Sequence, residues 1–316
     1  MLKFSQILFG GLIMLNSLDL LFISLTVLVF AFGFIIKAER WKRGQATNRF
    51  DDLYGRFFSA IDRVFSHRDL LREKNMGIFH LFLFYLFVLA LLLVLVFHLP
   101  FRLPMVVAGI QSLLLDISGL IALVGIVYFY YRRVTEKNRG FDNKKEDFVL
   151  LVWLLLIFVT GFLMEAVRLK VFKEKAVYAP IGTFFSIFIP SNQEYYPYLS
   201  QFFWRSHFFL VLSFIAFIPY TKAIHIILIP FSYIFKNNLP KGAYKLYDLD
   251  NSEEFGANKV VDLNWKDLMD LDTCVRCGRC QENCPAHLTE KPLSPKKVIQ
   301  DLKTVLYKSD KDIQTP

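Results

Sequence analysis

The chain has 316 residues, of which 54% are hydrophobic and 21% charged, with 34 phenylalanines and a mean hydropathy of +0.39. Soluble enzymes of this size carry more charge and less Phe, and disordered or collagen-like chains need low hydrophobicity or a glycine period, so the composition argues against all three. The formal charge of +9, on so apolar a chain, reads as membrane topology and not as nucleic-acid binding.

Crossing a bilayer takes about 20 mostly apolar residues. Five stretches qualify: roughly 20–36 (behind a shorter apolar run at 7–15), 78–98, 110–131, 148–167 and 202–235. The last is too long for one straight span and contains Pro219 and Pro230, which predicts a span that continues, bent, to the inner surface. The N-terminus does not read as a signal peptide, because it has one lysine, no small-residue cleavage site and a second apolar run directly behind the first. The segment 37–74 holds ten Lys/Arg and 132–147 holds six, whereas the loop after His98 holds only Arg102. The positive-inside rule places the first two loops in the cytoplasm, and with five spans the N-terminus is then outside and the C-terminus inside. The expected fold is an all-α membrane protein: a five-helix transmembrane bundle over 1–235, followed by a small α-rich, ferredoxin-like cytoplasmic domain over 236–316.

Four of the six histidines fall in or beside two spans. His80 and His98 are 18 residues apart, as are His207 and His225. Eighteen residues make five turns of a continuous helix, about 27 Å, so each pair lies on one face with one member near each side of the membrane. Antiparallel spans then pair His80 with His225 at the inner side and His98 with His207 at the outer side. Each pair suits a bis-imidazole b-type haem, a low-spin electron carrier. The competing reading is a hydrogen-bonded polar histidine in a helix bundle. Arg205 and Lys222 lie close in sequence to His207 and His225; they are candidates to neutralise haem propionates, or to snorkel to the interface.

All four cysteines lie in one run, Cys274-x2-Cys277-x2-Cys280-x3-Cys284-Pro285. This is the bacterial ferredoxin pattern for a [4Fe-4S] cluster. A zinc site is the competing reading, but zinc motifs usually come as two separated pairs. In two-cluster ferredoxins the fourth cysteine serves the other cluster. So Cys284 either completes this cluster or serves one whose motif lies on a second chain or in a downstream region, with Pro316 not the true end. A helix is expected after the motif, with Ser294 as N-cap and Pro295 at the first helical position.

The spans with histidines on the second and fifth resemble the gamma subunit (cytochrome b) of respiratory nitrate reductase. The cysteine run followed by Leu293-Ser-Pro-Lys-Lys-Val298 resembles the iron–sulfur subunit of heterodisulfide reductase. The fusion is similar to membrane-bound iron–sulfur oxidoreductases that link electron-transferring flavoprotein to menaquinone, and to the membrane subunits of sulfite-reduction complexes. The cysteine-rich repeats of heterodisulfide reductases are absent from these residues, so disulfide chemistry is not carried over. The resemblance implies a quinone site, for menaquinone or ubiquinone, near one haem. Asp116, Glu165 and Arg168 are its candidates, since quinone reduction takes protons as well as electrons. Glu165 and Arg168 also suit a plain i,i+3 ion pair at a helix end. The aromatic stretch 178–198 is expected to cap that site from the outer surface.

The expected function is electron transfer in a cytoplasmic membrane, between a cytoplasmic iron–sulfur or flavoprotein partner and the quinone pool, as part of a quinone-linked oxidoreductase. The alternative is a non-redox membrane anchor with a structural zinc site.

Overall fold

The computed structural model describes residues 16–72, 74–97, 105–135, 144–172, 176–240, 243 and 256–312. These residues are helical and contain no named strand, only an isolated parallel bridge between Gln45 and Asn264. The helices are α1 (Ser17–Trp41), α2 (Leu53–Ser66), α3 (Lys74–Phe97), α4 (Met105–Thr135), α5 (Lys145–Phe172), α6 (Pro180–Ser186), α7 (Tyr196–Phe217), α8 (His225–Ile234), α9 (Trp265–Thr273), α10 (Arg279–Glu282), α11 (Pro285–Leu288) and α12 (Pro295–Asp312).

Four helical segments among the described residues are long and apolar enough to cross a membrane: Ser17–Trp41, Val106–Thr135, Lys145–Val171 and Gln193–Tyr220. Two shorter apolar segments, Gly77–Leu93 and Lys222–Ile234, accompany them. The apolar region at 202–235 is not one helix. Helix α7 ends at Phe217, two 3-10 turns follow (Ile218–Tyr220 and Lys222–Ile224), and α8 starts at His225. The break falls at Pro219, whose ring cannot sit inside a regular helix without removing a hydrogen bond. Thr221 then restarts the chain by capping the second turn through the Ala223 N–H at 3.3 Å.

The chain divides into two compact units. Among the described residues the first comprises 16–30, 70–72, 74–97, 105–135, 144–172 and 176–217. Here α5 packs on α4, α6 and α7, and α3 packs on α4. Small residues permit the close approaches: a Cβ on Gly119 would stand 2.7 Å from the Phe162 ring. Ala166, Val167, Ile189 and Tyr196 form its buried core, with Phe185 and Phe203 against it.

Among the described residues the second unit comprises 31–69, 218–240, 243 and 256–312. Its core joins Trp41 at the end of α1 to Ile224 and Leu228, to Leu268, Met269 and Leu271 of α9, and to Leu306 of α12. Helix α9 starts cleanly because Asn264 accepts from the Lys266 and Asp267 N–H groups. Helix α12 starts as its sequence predicts: Ser294 Oγ accepts from the Lys297 N–H at 3.2 Å, with Pro295 at the first position.

Candidate redox sites

The cysteine loop leaves α9 directly. Cys274 is the C-cap of that helix, and two single turns follow: α10 carries Cys280 and α11 begins at Pro285. Arg276 (φ 59°) and Gly278 (φ 83°) both take left-handed backbone, which curls the chain back on itself between the first three cysteines. Pro285 opens α11 and makes Cys284 its extended N-cap. Partial burial, and then the nearby Cys277 and Cys274 thiols, push the Cys280 thiol above its ordinary value.

Two side chains point donors at the sulfurs. Arg279 Nε donates to Cys277 Sγ at 3.4 Å, and Gln300 Nε2, from α12, donates to Cys274 Sγ at 3.3 Å. Donors to thiolate sulfur are what an iron–sulfur cluster needs in its surroundings. Four cysteines on one tightly curled loop, with N–H donors aimed at two of their sulfurs, are a donor set that fits an iron–sulfur cluster.

The sequence announces the helix that carries Gln300 but not Gln300 itself, because which side chain of α12 faces the cysteines depends on how that helix packs on α9 and α10. The same holds for Asp272. That carboxylate is 2% exposed and gathers partners from both ends of the chain: Trp41 Nε1 donates at 2.9 Å, Tyr307 Oη at 2.6 Å, and the Lys37 and Lys303 ammonium groups each stand at 3.1 Å. Arg40 lies over the Tyr307 ring, 4.2 Å from its centroid. Burial works against the charge on Asp272, but Lys37, Lys303 and the two neutral donors outweigh it and hold the carboxyl below its usual range. Burial and the neighbouring carboxylate push the Tyr307 phenol upward.

The histidines stand as follows. His207, on α7, has its Nδ1 3.0 Å from the Ile157 carbonyl and 3.1 Å from Thr160 Oγ1 on α5. His225, at the start of α8, has its Nδ1 2.6 Å from the Lys222 carbonyl. A ring nitrogen facing a carbonyl must carry the proton, so in both residues Nε2 is left as the lone-pair nitrogen. That is the usual second contact of a metal-binding histidine, and it is the respect in which these residues fit a haem. A glycine faces His207: a Cβ on Gly161 would stand 3.4 Å from its Cε1. The break after Phe217 corrects one inference. The five-turn spacing of His207 and His225 assumed an unbroken helix, so it fixes no common face for them. His80 lies on α3 in the first unit and His225 in the second. His98 lies outside the described residues. A cavity of about 230 Å³ between α3 and α4, lined by Phe79, Phe82, Leu83, Ile121, Val124 and Gly125, adjoins the His80 position in sequence. It is smaller than the roughly 300–1,000 Å³ of typical ligand clefts. Arg205 is exposed and Lys222 half-buried.

The three acid–base candidates come together in the first unit. Glu165 Oε1 accepts from Arg168 Nη2 at 3.0 Å and from Ser112 Oγ at 3.1 Å, and Arg168 also reaches Ser112 at 2.9 Å. The i,i+3 ion pair is therefore formed, and Ser112 joins it from α4. Asp116 is 1% exposed and accepts from the Ile181 and Gly182 N–H groups at 2.8 Å each. It thus satisfies the first turn of α6, which has no side-chain cap of its own. Glu165 is one turn beyond Gly161 on α5, so the group lies near His207.

Residues 70–240 match the nitrate reductase gamma subunit family, and 265–286 match a 4Fe-4S binding domain. The chain is 31% identical to the "EtfAB:quinone oxidoreductase" of Syntrophomonas wolfei over 89% of its own length and 42% of that protein's. It is 28% identical to the "Probable iron-sulfur-binding oxidoreductase FadF" of Bacillus subtilis, over 93% of its length and 43% of the relative. A 59-residue stretch is 44% identical to a "Probable membrane-anchored ferredoxin" of Chromohalobacter salexigens, covering 18% of this chain and 9% of the relative. The chain thus spans less than half the length of the curated relatives it matches. No solved structure matches it. Its apolar helices, histidine-bearing segments and cysteine loop place the chain in the nitrate reductase gamma subunit family, as a cytochrome b-type membrane domain joined to a 4Fe-4S ferredoxin domain.

Proposed function

We propose that the protein carries electrons between a cytoplasmic iron–sulfur or flavoprotein partner and membrane quinone. Cys274, Cys277, Cys280 and Cys284 would hold a [4Fe-4S] cluster. His80 with His225, and His98 with His207, would ligate two b-type haems in a five-span bundle whose N-terminus is outside and C-terminus inside. These groups supply one-electron carriers that the amino acids alone cannot provide. The observation that carries the reading is the state of the histidines: Nδ1 of both His207 and His225 faces a backbone carbonyl, which orients each ring and leaves Nε2 for a metal. The chain's own contribution is to fix these rings, to surround the cysteine sulfurs with donors, and to hold an acid–base group in the membrane domain. Of the three candidates, Glu165 with Arg168 and Ser112 is suited to exchange protons with a bound quinone, while Asp116 is committed to α6.

The test is a reduced-minus-oxidised spectrum of the purified chain, with iron and acid-labile sulfide measured alongside. Two b-type haems and a cluster are expected. His80→Ala and His98→Ala should each remove one haem, and a different one. A folded protein without haem bands defeats the reading. Zinc without sulfide would support a membrane anchor in its place.

A further inference from the structure

Helix α2 lies in the basic segment between two apolar helices, outside the spans and outside the matched family region. It is amphipathic. One side faces α8 and is pinned there. Arg56, 3% exposed, donates to the Ile234 and Lys236 carbonyls at 3.1 and 2.6 Å and pairs with Asp51 at 2.7 Å, and Ala60 is buried beside it. This anchoring fixes the rotation of the helix. About a third of its circumference then carries Tyr54, Phe57, Phe58, Ile61 and Phe65, which are 38–76% exposed. The spacing i, i+3, i+4, i+7, i+11 makes them one stripe. Phe58 joins Tyr54 and Phe57 in a ring cluster, its centroid 4.5 Å from Tyr54 and 5.7 Å from Phe57. Asp62, bound to Arg68 at 2.6 Å, lies on the polar flank.

Water is a poor neighbour for five such side chains, and what covers them is set by tethers. Residues 42–52 join α2 to the membrane helix α1, and 67–73 join it to the apolar helix α3. At no more than about 3.6 Å per residue, the second tether spans about 25 Å at most. The two tethers therefore keep the helix within reach of a membrane surface. We propose that α2 is an interfacial helix, lying in the membrane plane with the Tyr54–Phe65 stripe sunk among phospholipid acyl chains below the headgroups. Such a helix would brace α8, and with it His225, against the bilayer.

Photo-crosslinking of the full chain in its membrane tests this. p-Benzoylphenylalanine in place of Phe57 or Ile61 should give phospholipid adducts by mass spectrometry, several-fold more than the same group in place of Asp62. Adducts to a second copy or to another protein at Phe57 and Ile61, or equal lipid labelling at all three positions, would overturn it. Hydroxyl-radical footprinting of the unsubstituted chain in lipid nanodiscs gives an independent reading that needs no variant. Protection of Tyr54 and Phe58 is expected, and heavy oxidation of both would sink the proposal.

Discussion

Gln300 donates its side-chain amide to the Sγ of Cys274 at 3.3 Å, across 26 residues of sequence. A hydrogen bond to sulfur favours the more negative, reduced state of a cluster. Gln300→Leu should therefore lower the cluster's reduction potential. One hydrogen bond of about 0.5–1.5 kcal/mol corresponds to roughly 20–60 mV for one electron. A redox titration followed by electron paramagnetic resonance checks this. Gln300→Glu should lower the potential further, since a carboxylate brings negative charge and no donor.

Asp272 sits two residues before Cys274, and four side chains from α1, α12 and the α1 terminus hold it. Asp272→Asn would leave the buried Lys37 ammonium without its anion. Breaking a buried pair from one side costs about 3–5 kcal/mol. The sign with pH follows from the lowered carboxyl. Its stabilisation is fully present above the ordinary Asp value near 3.9 and is lost as pH falls through the folded value. Tyr307 works at the other limit. Its raised phenol gives stabilisation that is present below about 10 and lost as pH rises towards the folded value. Hydrogen exchange of α9 peptides should show the wild-type advantage over Asp272→Asn shrinking between pH 4 and lower values. Taking the difference between the two proteins removes whatever acid does to both.

Much of the redox site was legible because its signals are local. The four cysteines declare themselves by spacing, and Ser294-Pro295 announces α12 by cap chemistry alone. Glu165 and Arg168 are one turn apart, so their ion pair follows from helical geometry. The contacts that the sequence hid are long-range. Trp41 and Lys37 meet Asp272 across more than 230 residues, and nothing in Leu-Met-Asp-Leu-Asp272 says which of its acids will be buried. The histidine spacing failed for a different reason. Eighteen residues equal five turns only while hydrogen bonds run unbroken, and Pro219 breaks them. Pro219 is itself visible in the sequence, and a helical register does not carry across it.

Gly44 shows how closely the end of α1 approaches the start of α9. A Cβ there would stand 2.7 Å from both the Leu263 carbonyl oxygen and the Trp265 nitrogen. This is where Gln45 and Asn264 form their bridge, with Gln45 N donating to Leu263 O at 2.9 Å and Trp265 N to Gln45 O at 3.1 Å. Both obstacles are backbone and cannot swing aside. Gly44→Ala should part the bridge and cost about 1–3 kcal/mol, the range for overpacking. Faster hydrogen exchange at Gln45 and Trp265, with haem content unchanged, is the expected signature.

Asp116 and Gly182 together decide how α6 lies against α4 and α5. The carboxylate satisfies two backbone donors of a helix whose N-cap, Ala179, offers none, and Gly182 lets that turn settle on Glu165. A Cβ at Gly182 would stand 2.8 Å from Glu165 Cγ and 2.9 Å from its Oε2. The two changes should therefore act differently. Asp116→Ala leaves a buried N–H at Gly182 and a part-buried one at Ile181 without an acceptor, at about 1–3 kcal/mol for the buried group, and should free α6, seen as rapid exchange at 181–183. Gly182→Ala keeps the cap but presses on Glu165, the group proposed to handle protons. On the proposed function it should slow electron exchange with quinone while α6 stays protected. If Gly182→Ala left turnover untouched, Glu165 would be a structural partner of Arg168 and nothing more.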